Sequence, residues 1–200
     1  MSGPGPALTA ALILSAVLSG CTPAPESGPA ERWGPRPGAD WQWQLSGRLD
    51  PTVDVPVYDI DGFEHDASAV ADLHRRGRKV ICYVSTGAWE DFRPELRDNR
   101  LVARIAHRHG LAVGLKNDLD QISQLEPDFD FAVNEQCAQY DECAALTPFI
   151  EADKAVFHVE YEVPVARFCP QSKKLRLSSL RKKYELGVWR RSCTSGPSGN

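Results

Sequence analysis

Five apolar runs in this sequence stop on residues that can move protons or hold polar ligands. "VPVYDID" ends on Asp59 and Asp61, "KVICYVS" on Ser85, and "LAVGLKN" on Lys116 and Asn117 with Asp118 just beyond. "FDFAVNE" ends on Asn134 and Glu135, and "AVFHVEY" on Glu160 and Tyr161. Carboxyl groups so placed can act as general acids, bases or nucleophiles. Taken singly, each polar terminus serves equally well as a helix cap or turn residue. Five runs that end alike point instead to one shared site.

The elements that must position these residues alternate along the chain. With "WQWQL" from Trp41 and "LGVWR" from Leu186, seven short β-rich runs are recognisable, and helical patterns separate most of them. In "DASAVADLHRRG", Val70 and Leu73 are three apart and Gly77 supplies a C-terminal stop. "NRLVARIAHRHG" repeats the plan with Leu101, Ile105 and Gly110. Strand, helix, glycine, strand is the pattern of a parallel α/β fold. In a (β/α) barrel the C-terminal strand ends converge on one face, where chemistry is done. No glycine-rich phosphate loop follows a strand, which weighs against a doubly wound nucleotide-binding fold.

Composition limits the possible partners. The 200 residues are 42% hydrophobic and 25% charged with a net charge of −4, and no Lys/Arg stripe interleaves with aromatics, so no nucleic acid partner is expected. The run "ALTAALILSAVLSGC" is too short to span a bilayer and reads as an export signal over residues 1–20. Leu18-Ser19-Gly20-Cys21 resembles a bacterial lipobox, with Cys21 lipidated as the only membrane attachment. The alternative is a plain signal peptide whose cysteine is incidental. Residues 21–38, rich in Pro and Gly, read as a disordered tether. A barrel domain is expected over 39–193 and a flexible tail over 194–200.

Export favours disulfides. Cys137 and Cys143 bracket "CAQYDEC", and Cys169 and Cys193 flank the basic stretch "KKLRLSSLRKK", which makes 137–143 and 169–193 the preferred pairing. Cys82, inside "KVICYV", reads as a buried, unpaired thiol. The cysteine spacings lack a CxxC pair, and the five histidines are scattered. His107 and His109 point apart on their helix, so neither a metal nor another cofactor is expected. Trp41, Tyr83, Trp89 and Tyr161 are plausible sugar-stacking platforms, Trp43 and Trp189 read as core, and the basic stretch reads as the solvated face of the last helix.

The segments "WQWQL", "YDIDGFE", "LHRRGRKVICYVSTGAWEDFRPE", "HGLAVGLKNDLDQ", "FDFAVNEQC", "YDEC" and "DKAVFHVEY" occur in this order between Trp41 and Cys193. Together they resemble glycoside hydrolase family 114, secreted barrel enzymes that include endo-α-1,4-polygalactosaminidases. The resemblance implies a (β/α)8 TIM-type barrel that cleaves α-1,4-linked galactosamine polymers with a pair of acidic residues at the strand ends. The family's Asn-Glu strand end falls on Asn134 and Glu135. Glycoside cleavage needs one carboxylic acid to protonate the leaving oxygen and one carboxylate as nucleophile or base. The apolar strand before Glu135 suggests a raised pKa and the proton-donor role. Lys116 and Asn117 match the family's "LKN" and are expected either to bind sugar hydroxyls or, for Lys116, to pair with Glu135 or Asp61.

The family's other catalytic carboxylate stands in a Glu-Pro-Asp-Asn motif on the strand before "GLKN", and this sequence has no such motif. "FRPELRD" runs directly into "NRLVARIAHRHGLAVGLKND", with the junction near Leu96 to Asn99. "LEPDFD" at 125–130 is superficially similar but occupies its own family position. Seven strands against the usual eight of a barrel of ~250 residues agree with one βα unit lost. Either the neighbouring strands close up or a gap remains at the fourth position. Asp59, Asp61 and Glu160 are the candidate substrate contacts or stand-in acids. Three functions follow: an exported hydrolase acting on a galactosamine-type polysaccharide, a non-catalytic carbohydrate-binding surface protein, or a defective truncated product.

Overall fold

A parallel strand covered on both faces must be apolar throughout, and a helix beside it needs only one apolar stripe. The computed structural model, which describes residues 32–84 and 96–194, builds these elements from the runs above. β1 (Trp41–Gln44), β2 (Val57–Asp61), α1 (Ala67–Arg75) and β3 (Lys79–Tyr83) form the first part. α2 (Leu96–Arg108), β4 (Gly114–Lys116), the short α3 (Ile122–Leu125) and β5 (Phe131–Glu135) follow. α4 (Thr147–Glu151), β6 (Val156–Glu160), α5 (Val165–Lys174), β7 (Ser178–Arg181) and β8 (Arg191–Ser192) complete the chain. No helix among the described residues is long and apolar enough to cross a membrane. The export signal, Cys21, Ser85, Trp89 and the tail beyond Thr194 lie outside the described residues.

The strands form a three-stranded parallel sheet, β1-β2-β3, and a five-stranded sheet, β4-β5-β6-β7-β8, parallel except for β8. Their inner faces share one cluster in which Trp41, Trp43 and Val57 meet Phe131, Phe157 and Leu180. Single hydrogen bonds join β1 to the β7 side. Trp41 Nε1 donates to the Ser178 carbonyl at 2.9 Å, Gln42 Nε2 to that of Val188 at 2.7 Å, and the Leu45 amide to that of Leu186 at 3.0 Å. On the other side β3 and β4 pair with no strand on their outer edges among the described residues. Among the described residues the barrel expected to lack one βα unit is therefore open between the edges of β3 and β4.

Local sequence explains the elements that hold. Asp66 caps α1 by accepting the amides of Ser68 and Ala69, Leu73 is buried beneath the helix, and Gly77 ends it at φ +75°. Gly114 opens β4 because a Cβ there would lie 2.1 Å from the Phe131 ring, which is fixed in the core. The two expected disulfides form: Cys137–Cys143 closes the loop after β5, and Cys169–Cys193 ties α5 to the residue after β8.

Four expectations are corrected. "LGVWR" is not a strand. The seventh parallel strand is β7, inside the basic stretch read as a helix face, where Ser178, Ser179 and Leu180 are buried and Lys182 is 1% exposed. Cys82 is exposed rather than buried, because β3 is an edge strand whose cover by α1 reaches Val80. Leu101 and Ile105 of α2 are exposed and the helix buries Ala103 instead, since the βα unit that would have covered the apolar stripe is missing. Trp41 and Trp189 exchange roles: Trp41 is wholly buried against Phe157, whereas Trp189 is 38% exposed.

Candidate active site

Side chains alternate across each strand, so Lys116, Glu135 and Tyr161 follow Gly114, Val133 and Val159 onto the inner face. They meet at the C-terminal strand ends. Lys116 Nζ donates to Glu135 Oε2 at 2.8 Å, and the Tyr161 hydroxyl donates to Glu135 Oε1 in a short hydrogen bond. Lys116 also lies 5.6 Å from the centre of the Trp43 ring, so one ammonium links β4, β5 and β1. Asn117, at φ 55°, adopts the left-handed conformation that asparagine tolerates best after glycine. Its amide donates to the Val133 carbonyl at 2.8 Å. Its Oδ1 accepts from the Glu135 amide at 3.0 Å and from Asn134 Nδ2 at 3.3 Å, extending the ladder and stiffening the backbone under Glu135.

These contacts correct the expected charge state of Glu135. Burial pushes its pKa up, but hydrogen bonds from Lys116 and Tyr161, the Lys116 charge and Asn117 outweigh that effect, and the carboxyl is held below its ordinary value. Glu135 is an ionised carboxylate, suited to act as nucleophile or base rather than proton donor. Tyr161 moves the other way: burial and its bond to Glu135 raise its pKa, so it remains a phenol donor. Tyr83, partly buried 6.4 Å from Trp43, likewise stays protonated through burial and the nearby charge of Glu135.

Asp59 lies deeper on the inner face of β2, in register with Trp43 and Ile81. It is 1% exposed, and among the described residues neither oxygen has a hydrogen-bond partner. Burial raises its pKa well above 3.8, opposed by the Lys116 charge. The folded state therefore binds a proton that the unfolded chain releases, and stability falls as pH rises from 3.8 through the folded value. Asp59→Asn should remove that slope. Urea midpoints measured from pH 4 upward should show the variant gaining on wild type by up to about 1.4 kcal/mol per pH unit across that window. Parallel profiles would mean that Asp59 is ionised in the fold.

Other expected contacts lie elsewhere. Glu160 is wholly buried on the opposite face of β6, accepting from the Ala138 amide at 2.8 Å and paired with His158 at 2.9 Å, so it faces the α5 layer rather than the mouth. Asn134, 2% exposed, also points outward, onto Asn117. Asp61 commits Oδ1 to the amides of Phe63 and Glu64. Among the described residues, Cys137, Cys143 and His158 have metal-like spacing, but the two sulfurs are bonded to each other. Sequence reasoning missed Trp43 beneath Lys116 and Tyr184, whose ring stacks on Tyr161 at 4.4 Å. Tyr184 directly follows the basic stretch, and only the strand reading of that stretch would have pointed to it.

Parallel strands whose C-terminal ends gather polar side chains around one carboxylate define a barrel-class protein with its candidate site at the strand ends. The chain belongs to glycoside-hydrolase family GH114, whose model matches residues 22–100 and 95–198. The two matched stretches meet where the junction was expected. The structure is similar to the crystal structure of Aspergillus fumigatus Ega3 in complex with galactosamine, with a TM-score of 0.68 and 27% identity, covering 80% of this chain and 97% of that one. No curated protein matches the chain.

Proposed function

We propose that this protein is an exported glycoside hydrolase of retarded activity that acts on an α-1,4-linked galactosamine polymer outside the cell, held at the surface through Cys21. The observation that carries the reading is the Glu135 carboxylate, kept ionised between Lys116 and Tyr161. It can attack the anomeric carbon or take a proton from an attacking water as the glycosidic C–O bond breaks. Ega3, the structural relative, was crystallised with galactosamine, which supports the substrate class.

Among the described residues the other half of the reaction, protonation of the leaving oxygen, is weakly provided. Asp59, whose burial favours the protonated form, is enclosed, and Glu160 faces away. Solvent then supplies the proton, and turnover should lie roughly 10²–10⁴-fold below that of a complete acid–carboxylate pair. The rate should rise from pH 7 toward pH 5 with hydronium. It should fall only once Glu135 protonates, below the ordinary 4.5. The check is chromatographic release of oligosaccharides from partly deacetylated α-1,4-galactosamine polymer across this range. No product at any pH would sink the hydrolase reading. The enclosure of Asp59 favours a second reading, a carbohydrate-binding protein without catalysis, in which polymer binding measured by calorimetry survives Glu135→Gln.

A further inference from the structure

Beyond the Tyr161–Tyr184 stack lies an open cleft of 460 Å³. Its aromatic wall is Tyr161, Tyr184 and Trp189, with Tyr184 61% exposed. Tyr161 belongs to both places: its ring borders the cleft and its hydroxyl reaches Glu135. A ligand in the cleft is therefore one side chain away from the carboxylate.

The charge of the cleft is opposite to what a cationic galactosamine polymer calls for. Arg181, Lys182, Lys183 and Arg191 line it against Glu162 and Glu185, in a chain whose net charge is −4. Lys182 is committed to the Gly187 carbonyl at 2.6 Å and to Gln42, and Lys183 is within 3.9 Å of Glu185. That leaves Arg181 and Arg191, which are direct register partners on the antiparallel strands β7 and β8. Like charges opposite one another across such a pair are destabilising. Among the described residues neither guanidinium has a carboxylate partner, and Arg181 is oriented by donating Nε to the Tyr161 carbonyl at 3.1 Å. Two unpaired arginines held side by side at the edge of an aromatic-walled cleft suit one bound anion, since a guanidinium presents a planar fork to a carboxylate or sulfate.

We propose that this cleft is a second saccharide subsite that takes an acidic sugar, its ring face on Tyr184 and Trp189 and its anionic group between Arg181 and Arg191. The inference rests on the polysaccharide reading above and adds that the natural polymer carries acidic units beside the amino sugars. Calorimetry on the full chain carrying Glu135→Gln, which stops turnover, tests it with four probes: α-1,4-linked tetramers of galacturonate, galactosamine and N-acetylgalactosamine, and inorganic sulfate. The galacturonate tetramer should bind at least about tenfold tighter than the N-acetylgalactosamine tetramer and tighter than sulfate, and the preference should shrink as salt rises. In the same background, Arg191→Glu, an exposed position, should weaken galacturonate binding about tenfold without weakening galactosamine binding, and Arg191→Lys should fall between.

Galacturonate affinity indifferent to Arg191→Glu, or galactosamine affinity weakened by it as much as galacturonate affinity, would overturn the subsite. Sulfate binding as tightly as the tetramer would reduce it to a free-anion site and overturn the saccharide assignment. Failure of the hydrolase reading is separate, because it shows as absent product release from the deacetylated polymer by the wild-type chain.

Discussion

Glu135→Gln should reduce oligosaccharide release by roughly 10²–10⁴-fold, with the unfolding midpoint moved by only a few degrees. Glutamine keeps the size of the side chain and an oxygen for the Tyr161 hydroxyl, but it removes the negative charge that a developing cationic sugar centre needs. Stability changes little because Lys116 and Glu135 are each 26% exposed at the side chain, where water screens most of the pair's attraction. Lys116→Met is the companion variant. Without the ammonium, burial and the Tyr161 bond act on Glu135 alone, its pKa rises, and the acid limb of the pH–rate profile moves upward. The sign also applies to stability. A carboxyl held below 4.5 stabilises the fold above that value and loses its contribution as pH falls through the folded pKa. A wild-type rate unchanged by Glu135→Gln would remove Glu135 from the chemistry.

The second large effect belongs to the scaffold. Phe157→Ala should cost about 3–5 kcal/mol, lowering the thermal midpoint by roughly 10 °C or more. Phe157 is fully buried at the centre of the inner cluster, with ring centroids 4.9 Å from Trp41 and 5.7 Å from Phe131, so it joins β1 to the β5–β6 pair. A complete barrel shares such load around a closed ring of paired strands. Here, among the described residues, β3 and β4 are unpaired on their outer edges, and β1 is joined to the β6–β7 side by single hydrogen bonds and this aromatic contact. Leu101→Ala, at a position 42% exposed, should cost well under 1 kcal/mol. Urea unfolding of the two variants would settle the comparison, and equal midpoints would show that the inner cluster does not hold the sheets together.

Glu135, Lys116 and Asn117 were legible because they stand where an apolar strand breaks off into polar residues, a pattern that depends on chain-local periodicity alone. The lost unit was legible for a similar reason, as a motif missing between "FRPELRD" and "GLKND". The disulfides followed from cysteine spacing together with the expected export signal. β7 was hidden because its buried core, Ser178 to Leu180, is short, partly polar and enclosed by lysines and arginines, so composition favoured a solvated helix.

What the sequence by itself determined is where apolar strands end on polar residues and where the barrel is interrupted, since both are written in residue order. Only the tertiary structure decided which of those residues face the mouth and which are charged. Glu160 and Tyr161 are adjacent, yet strand parity sends one into the α5 layer and the other onto Glu135. Asp59 and Glu135 are both carboxyls ending apolar runs, yet burial pushes the pKa of the first up while Lys116 and Tyr161, reaching the second from neighbouring strands, hold its pKa down. Orientation and pKa depend on what lies across the sheet, and that is set by packing between segments distant in the chain.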